Sequence, residues 1–378
     1  MAKNGYRILD SDLHLEEPPD LWQRYVDAPF KHLAPVGSQV GVTDLSMAHP
    51  DGSRWGQHTP VPSPRKSSFA RDQERYAKYH AMGWSAQAHL EAMDIEGVDI
   101  SFMYPSRGLR TVAEENMDQP LAAALARAYN NWLYDWCQAD PQRLLGVAMI
   151  SPHNVDDAVA ESRRAMKELG FRGVFLRSNV VTGKNWYDPY YDDLWSCLEE
   201  LDVPVGFHEA GGSGAPFAGE HFDSFMLRHA YSHPLEQMYA LGAFCATDLL
   251  ERHPRLRVAF LEGNCSWLQW LLWRLDEHYE LYADEWERSQ GMKHEPSEYF
   301  RRQCWVSVEC DETDVRWTIE AMGDSSNIVF STDFPHSDAR FPHSVDTFLD
   351  LPISDEHKRK ILWDNCAALY GMGVASAI

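Results

Sequence analysis

Basic residues are scarce in this sequence of 378 residues, because 34 Lys and Arg stand against 57 Asp and Glu, giving a formal net charge of -23 at pH 7. Phosphate binding needs clustered Lys and Arg, so the composition argues against nucleic acid or an anionic membrane as a partner. The sequence also lacks an apolar signal core at its N-terminus and any run near the ~18 apolar residues of a membrane span. We therefore expect a soluble cytoplasmic protein that acts on a small molecule.

Cysteine is present without any paired pattern. The seven cysteines are scattered, and no two of them form a Cys-x-x-Cys pair. A disulfide framework or a thiolate zinc site is therefore not expected, in keeping with a reducing compartment. A glycine-rich phosphate-binding fingerprint is also missing after the first apolar strand. This second absence disfavours a doubly wound open sheet, which is the other fold that the order of elements allows.

Short apolar runs alternate with amphipathic helices along most of the chain. Eight of these runs are predicted strands, at 6–9, 98–104, 144–150, 173–176, 203–207, 258–261, 305–308 and 328–331. Apolar strands that alternate with helices are typical of a parallel sheet covered by helices, and eight such units predict a closed (β/α)₈ TIM barrel. We expect a single barrel domain over 1–378, with the Pro-, Gly- and Ser-rich segment 27–75 inserted after the first strand as a lid or arm.

Residues of the types that bind metal follow five of the eight predicted strands. They are Asp12 and His14 after the first strand, His208 after the fifth, Glu262 after the sixth, Glu309 after the seventh and Asp333 after the eighth. Alternate side chains of an extended strand share a face, so Asp12 and His14 point the same way. The carboxyl ends of the strands meet at one mouth of a TIM barrel. Acids gathered there repel one another unless a cation neutralises them, so the sequence predicts a metal centre.

Each acid also has an ordinary structural interpretation. Asp333 could cap a helix, and Glu262 with the following glycine could form a simple turn. Glu309 belongs to an acidic cluster that could be solvated surface. The barrel favours the ligand interpretation for Asp333 and Glu262, and leaves Glu309 open between the two.

Other polar residues near the strand ends have weaker roles in this prediction. Arg107 and Arg177 follow the second and fourth strands, where they could bind a substrate carboxylate or balance the acids. His336 is expected to be a structural or supporting residue rather than a ligand. His233 is expected to orient the helix that follows it.

Five segments together carry a family resemblance. They are Asp-x-His-x-x-Glu-Pro at 12–18, Pro-Val-Gly-Phe-His at 204–208, Arg-Val-Ala-Phe-Leu-Glu-Gly-Asn-Cys-Ser-Trp at 257–267, Ser-Thr-Asp-Phe-Pro-His at 331–336 and Asn-Cys-Ala-Ala-Leu-Tyr-Gly at 365–371. As a set they resemble the amidohydrolase-related branch of the metal-dependent hydrolase superfamily. The resemblance covers nearly the whole chain apart from 27–75, and it implies a TIM barrel that depends on metal.

The resemblance also bears on the reaction. Decarboxylases of this superfamily resemble one another in carrying His at the end of the sixth strand, where this sequence has Glu262, and the departure disfavours decarboxylation. A set of two His and several carboxylates resembles instead the superfamily's binuclear non-haem iron monooxygenases. That resemblance implies hydroxylation of a C–H bond with O₂ in a terpenoid or amino-acid pathway. It further implies two divalent ions, iron or iron with manganese, and an electron-donor partner.

The alternative is a metal-dependent hydrolase or decarboxylase that uses one zinc ion, with Glu262 or Asp333 as general base. A third possibility, a non-catalytic subunit, is disfavoured because the ligand residues are intact. In the favoured interpretation the metal ligands are Asp12, His14, His208, Glu262 and Asp333, with Glu309 and Glu17 as further ligands. We also expect a homo-oligomer, namely a dimer.

Overall fold

The computed structural model describes residues 3–37, 47–48, 74–115, 117–209 and 221–372. Eight parallel strands form one sheet in which each strand pairs with the next along the chain. The strands are β1 (Leu9–Leu15), β2 (Ile100–Pro105), β3 (Leu144–Met149), β4 (Gly173–Arg177), β5 (Val205–His208), β6 (Val258–Phe260), β7 (Cys304–Val308) and β8 (Ile328–Phe330). The predicted TIM barrel is confirmed.

All eight strands are buried along their whole length. This burial follows from the fold, because one face of each strand lies under the outer helices and the other fills the barrel interior. It explains why seven of the strands are short and mainly apolar. β1 is the exception, since four of its seven residues are polar and it continues through Asp12 and His14. The prediction that the first strand ends before these two residues is therefore wrong.

Serine side chains join β1 to β8 and bring the barrel close to full closure. Ser11 Oγ donates a hydrogen bond to the Phe330 carbonyl oxygen at 2.8 Å. In the opposite direction, Ser331 Oγ donates to the Asp12 carbonyl oxygen at 2.9 Å. These bonds satisfy buried backbone carbonyl groups at the seam. They also fix the backbone of Asp12 relative to β8.

Helical segments lie between the strands and after the last one. They are Leu21–Tyr25, Ala77–Ala81, Ala86–Glu96, Gln119–Cys137, Val155–Lys167, Asp192–Leu201, Phe225–Cys245, Leu249–Arg252, Leu268–Tyr282, Glu287–Gln290, Pro296–Gln303, Val315–Met322, Ser344–Leu349, Asp355–Arg359, the π-helical turn Lys360–Asp364, and Asn365–Leu369. Ala86–Glu96 illustrates how sequence sets such limits. The side chain of Ser85 accepts a hydrogen bond from the backbone N–H of Ala88, and Gly97 ends the helix with φ 81°. A serine N-cap and a left-handed glycine are the expected start and stop of a helix.

The helix after β5 differs from its prediction. Its sequence predicts a helix that starts at Pro234, because proline is favoured at a first helical position. The helix begins instead at Phe225 and contains Pro234 in its interior. A proline there removes one backbone hydrogen bond. Gln237, which is fully buried one turn further on, donates hydrogen bonds to the carbonyl oxygens of Phe207, at 3.1 Å, and Leu261, at 2.7 Å, and so anchors the helix to the barrel.

Most of the predicted lid at 27–75 falls in 38–46 and 49–73, which lie outside the described residues. The described part includes a short antiparallel pairing of Val36–Gly37 with Met47–Ala48. The prediction that this insertion covers the barrel mouth stays a prediction. Among the described helices, none has the length and apolarity to cross a bilayer.

Candidate metal centre

Five of the predicted ligand residues meet at the carboxyl end of the barrel. Asp12 and His14 lie on β1, His208 ends β5, and Glu262 and Asp333 follow β6 and β8. Asp12, His14 and His208 are fully buried, whereas Asp333 is 2% exposed and Glu262 is 8% exposed. So many ionisable groups are almost never buried together unless they are paired or bind a metal.

The donor atoms of these five residues are separated by similar short distances. Asp12 Oδ1 lies 3.4 Å from His14 Nε2, and Asp12 Oδ2 lies 3.2 Å from His208 Nε2. Glu262 Oε2 is 3.0 Å from His208 Nε2, and Asp333 Oδ1 is 3.4 Å from His14 Nε2. Ligands bound at about 2.0–2.2 Å to one ion are separated by distances of this size. The set therefore has the spacing of a coordination shell.

The same donor atoms have no hydrogen-bond partner in the described part of the chain. They are both carboxylate oxygens of Asp12, Nε2 of His14 and of His208, Oε2 of Glu262 and Oδ1 of Asp333. A buried polar atom without a partner is unfavourable, and buried groups of this kind are normally satisfied. A cation placed among them would satisfy one donor atom of each of the five residues. The residues present therefore fit a bound metal ion.

Hydrogen bonds on the far side of each imidazole orient it toward this centre. His14 Nδ1 donates to the Pro105 carbonyl oxygen at 2.8 Å, and His208 Nδ1 donates to the Glu209 carbonyl oxygen at 2.7 Å. A carbonyl oxygen only accepts, so Nδ1 carries the hydrogen in both rings. Nε2 then presents its lone pair to the centre, which is the arrangement typical of metal-bound histidine.

Two of the acids are held by unusual backbone conformations. Glu262 has φ 52° and Asp333 has φ 53°, both in the left-handed region that non-glycine residues rarely adopt. The Glu262 N–H donates to Ser307 Oγ at 2.8 Å, and the Asp333 N–H donates to Ser331 Oγ at 3.1 Å. Strained backbone of this kind persists where the surroundings fix it, and it is concentrated at functional sites.

Charge at the centre is strongly perturbed when no cation is bound. Burial raises the pKa of Asp333 well above its usual value, and the Glu262 carboxylate adds to this effect. Burial lowers the pKa of His14 well below the ordinary histidine value, and the neighbouring imidazoles of His336 and His208 lower it further. Burial also acts to lower the pKa of His208, but the carboxylates of Asp12 and Glu262 outweigh it and raise this pKa well above the ordinary value. These opposed shifts arise because carboxylates and imidazoles share one desolvated space.

His336 is the residue that the sequence prediction underrated. Its Nδ1 lies 2.8 Å from Asp333 Oδ1, its Nε2 is 3.1 Å from Ser106 Oγ, and its ring stacks on His14 with 4.0 Å between centroids. Its side chain is 22% exposed, whereas those of its ligand neighbours are 7% exposed or less. Together with His14, Glu262 and Asp333 it forms one group of ligand atoms within 4.8 Å of one another. The spacing of three residues from Asp333 is the sequence signal that points to it.

Asp12, His14 and His208 form a second such group, so His14 is common to both. Glu309 is in neither of these groups within the described residues. Its backbone N–H donates to Glu312 Oε2 at 3.3 Å. Burial and the nearby acids, Asp333 first among them, raise the pKa of Glu309 well above its usual value. The assignment of Glu309 as a ligand stays a prediction.

Glu17 and the two arginines have other partners. Glu17 accepts hydrogen bonds from the backbone N–H groups of Arg107, at 3.0 Å, and Gly108, at 2.9 Å. The Arg107 guanidinium pairs with the Glu16 carboxylate. Arg177 pairs with Glu209, and both side chains of that pair are buried. A substrate carboxylate that bound either arginine would therefore compete with a glutamate already in place.

Comparison with known proteins places this barrel in a family. The model of the amidohydrolase family matches residues 78–372, which is more than half of the chain. The chain belongs to the amidohydrolase family. The family assignment agrees with the resemblance noted from the sequence, and it accounts for a barrel with metal ligands at its mouth.

Several named relatives of this amidohydrolase are decarboxylases. A γ-resorcylate decarboxylase of Rhodococcus jostii is 28% identical over 260 residues, covering 66% of this chain and 77% of the relative. The crystal structure of an amidohydrolase from Mycobacterium avium subsp. paratuberculosis has a TM-score of 0.77 at 22% identity, covering 97% of this chain and 99% of the other. A dihydroxybenzoic acid decarboxylase from Polaromonas sp., solved with manganese and the inhibitor 2-nitroresorcinol, has a TM-score of 0.69 at 18% identity and covers 97% of both chains.

These relatives correct the predicted reaction. The expectation of a binuclear iron monooxygenase, with hydroxylation as its reaction, is wrong, because it conflicts with the decarboxylases among the relatives. The inference that Glu262 in place of His disfavours decarboxylation gave too much weight to one ligand. Iron has no specific support from the relatives, whose solved structures include manganese. They likewise give no support to O₂ or to an electron-donor partner.

Proposed function

We propose that this chain is a metal-dependent decarboxylase of a small aromatic carboxylic acid. The observation that carries the proposal is the cluster of buried donor atoms without hydrogen-bond partners at the barrel mouth. Decarboxylases among the relatives support the reaction class. The ligands that we propose are Asp12, His14, His208 and Asp333, with Glu262 as a fifth.

One ion is the count that the ligand geometry favours. His14 belongs to both groups of ligand atoms, and its Nε2 has a single lone pair that serves one ion. Three carboxylates with two imidazoles form a shell of hard oxygen and borderline nitrogen donors, which suits manganese as well as zinc or iron. We propose manganese, because related decarboxylases were solved with it. Two ions per chain would instead support the count expected from the sequence.

The bound ion would supply Lewis acidity that takes up negative charge on substrate oxygen. In the reaction the bond between the ring carbon and the carboxyl carbon breaks, CO₂ leaves, and a proton takes its place on the ring carbon. Glu262 Oε1 and His336 Nδ1 lie 3.4 Å apart beside the ligand cluster. We assign the proton that reaches the ring carbon to this pair, because His336 is the most exposed member of the cluster. The buried mouth excludes bulk water and strengthens these contacts.

Arg107 and Arg177 remain predicted substrate-binding residues in this proposal. Each lies at a strand end that faces the mouth, and each is paired with a glutamate. An arginine at a rigid strand end orients a carboxylate well, since its planar fork matches two oxygens. Because each arginine is already paired with a glutamate, the substrate carboxylate binds more favourably to the ion than to an arginine.

The test is release of CO₂ by the metal-loaded chain. Metal is removed with a chelator, manganese is restored, and 2,6-dihydroxybenzoate and other hydroxybenzoates are supplied. We expect CO₂ and the decarboxylated phenol with manganese and neither product with the chelator. Elemental analysis of the same sample gives the ion count.

A panel of esters, amides and lactones serves as the matched control for the hydrolase alternative. Hydrolysis of any of them by the metal-loaded chain, without CO₂ from the aromatic acids, would contradict the proposal. A chain that binds no divalent metal would contradict both functions.

A further inference from the structure

The two carboxylate oxygens of Glu262 face different partners. Oε2 points to the ligand cluster, 3.0 Å from His208 Nε2, and has no hydrogen-bond partner in the described chain. Oε1 points away from it, 3.4 Å from His336 Nδ1 and 3.5 Å from His233 Nδ1. One carboxylate therefore lies between the centre and two imidazoles that do not bind the ion in the proposed shell.

Glu262 is also the ligand nearest to solvent. It is 8% exposed, whereas the other four proposed ligands are 2% exposed or less. It follows β6 in a left-handed conformation, where His233 Nδ1 donates to its carbonyl oxygen at 2.9 Å. His233 belongs to the helix Phe225–Cys245, outside the sheet. The position of Glu262 thus depends on a helix outside the sheet as well as on Ser307 of β7.

In the proposed shell, Glu262 occupies a coordination position that a substrate with two oxygen donors needs. Manganese is commonly six-coordinate with oxygen and nitrogen donors. Asp12, His14, His208 and Asp333 occupy four positions in the proposed shell, and Glu262 takes a fifth. One position is then left, whereas an aromatic acid with a neighbouring hydroxyl group offers two oxygens to a metal. Such a substrate needs the position that Glu262 holds.

Charge leads to the same conclusion. A divalent ion with the carboxylates of Asp12, Asp333 and Glu262 carries one net negative charge. Adding an anionic substrate to this shell would place a second uncompensated negative charge directly on the ion's ligands, which is unfavourable. Exchanging Glu262 for the substrate carboxylate leaves the charge on the ion's shell unchanged. The imidazole of His336 lies within reach of the displaced carboxylate, 3.4 Å from Oε1.

We propose that Glu262 is an exchangeable ligand, which leaves the ion when a substrate binds through two oxygens and is then held by His336. This inference rests on the proposed metal centre and adds to it the residue that opens the site. The other four ligands stay in place, because β1, β5 and the seam between β1 and β8 fix them.

Ligand binding to the cobalt-loaded protein tests this inference without turnover. Cobalt(II) gives an absorption spectrum that reports changes in its ligands. Acetohydroxamate is the probe that uses two oxygens, and azide is the probe that uses one donor atom. For each protein we compare the dissociation constant of azide with that of acetohydroxamate. We expect this ratio to be about 10-fold higher in Glu262→Gln than in the wild type, because the weaker Gln ligand is easier to displace. A factor of about 10 is the lower end of the effects seen when the surroundings of a metal site are altered. The ratio between the probes removes the general effect of lost negative charge.

Two further variants sharpen the measurement. Asp338→Asn is the matched control, because it removes a carboxylate from the loop after β8 and Asp338 lies in neither ligand group; its probe ratio should equal that of the wild type. His336→Phe keeps a ring over His14 but loses the N–H that holds the displaced carboxylate. It should weaken acetohydroxamate binding in the wild-type background and have little effect in the Glu262→Gln background, as a double-mutant cycle measures.

The inference is overturned if Glu262→Gln and the wild type have the same probe ratio. Loss of cobalt from Glu262→Gln would also overturn it, because a ligand that leaves during binding cannot be essential for holding the ion. The outcome is separable from the proposed reaction. A chain that binds cobalt and shows the expected ratio, but decarboxylates no aromatic acid, refutes only the reaction.

Discussion

Replacing Asp333 with Asn should separate the stability of the metal-free protein from its affinity for metal. Asp333 lies 3.4 Å from His14 Nε2 and is 2% exposed. Burial raises its pKa well above the usual value, so the metal-free site favours the neutral form of the acid. Asn has nearly the shape of that neutral acid, and it tolerates the left-handed conformation found here, φ 53°. The metal-free variant should therefore lose no more than about 1 kcal/mol of stability, the worth of a typical hydrogen bond.

The metal-loaded protein should respond differently, because Asn is a poor substitute for an anionic ligand. Manganese at 100 times its dissociation constant stabilises the wild type by about 2.7 kcal/mol. If the variant binds about 100-fold more weakly, the upper end of the effect of a supporting residue, the same manganese concentration stabilises it by about 0.4 kcal/mol. The difference of about 2.3 kcal/mol corresponds to roughly 5 °C in Tm at about 2 °C per kcal/mol.

Thermal unfolding with chelator and with manganese measures both quantities on one preparation, and calorimetry gives the manganese affinity directly. Asp338→Asn is a suitable control, since Asp338 is an acid of the same loop with a half-exposed side chain, 50% accessible. It should keep the wild-type gain in Tm. The reasoning fails if Asp333→Asn keeps this gain. It fails equally if the metal-free variant is destabilised by several kcal/mol, because the neutral acid would then have an essential role of its own.

Two other predictions concern the barrel interior and the pH dependence of stability. A Cβ atom at Gly206 would overlap the hydroxyl oxygen of Tyr104. Gly206→Ala should therefore lower the free energy of unfolding, measured by chemical denaturation, by about 1–3 kcal/mol. The loss should be smaller in a Tyr104→Phe background, which lacks that oxygen. Burial raises the pKa of Glu17 to about 7, so the folded protein retains a proton that the unfolded chain has released. Relative to metal-free Glu17→Gln, the free energy of unfolding of the metal-free wild type should therefore fall as the pH rises from about 4.5 to about 7 and level off above that. The comparison is needed because burial lowers the pKa of His89 to about 4, which makes stability rise with pH between about 4 and 6.5 in both proteins. A difference that stays constant over this range would contradict the assignment.

The fold was predictable because its signal is repeated. Eight apolar runs separated by amphipathic helices leave few arrangements other than a barrel, and each run appears as a strand. The error at β1 has a physical origin. Its polar residues predict the end of a strand, although all seven residues are buried. Interior strands are normally apolar, and β1 departs from this rule because its polar side chains line the proposed metal centre.

The convergence of the predicted ligand residues follows from the same geometry, because a barrel brings all its strand ends together. His336 was expected to be a supporting residue, and its spacing of three residues from Asp333 is consistent with the turn in which its backbone N–H donates to the Asp333 carbonyl oxygen at 2.9 Å. Contacts between distant segments were not predictable, such as the one between His336 Nε2 and Ser106 Oγ at 3.1 Å. The pairing of Arg177 with Glu209 joins the ends of two neighbouring strands. No pattern local to either segment indicates such a contact.

The nature of the ligands did not determine the reaction, and Glu262 shows why. A carboxylate at this position suggests a bridge between two ions, from which oxygen chemistry would follow. Two ions held about 3.5–4 Å apart can share a bridging carboxylate, but the residue common to the two groups of donor atoms is His14, whose Nε2 has one lone pair and serves one ion. The oxygen of Glu262 that would reach a second ion faces the imidazoles of His336 and His233. A carboxylate placed between one ion and two imidazoles is suited to exchange with an incoming anion, which is the role that we propose for Glu262 in a decarboxylase.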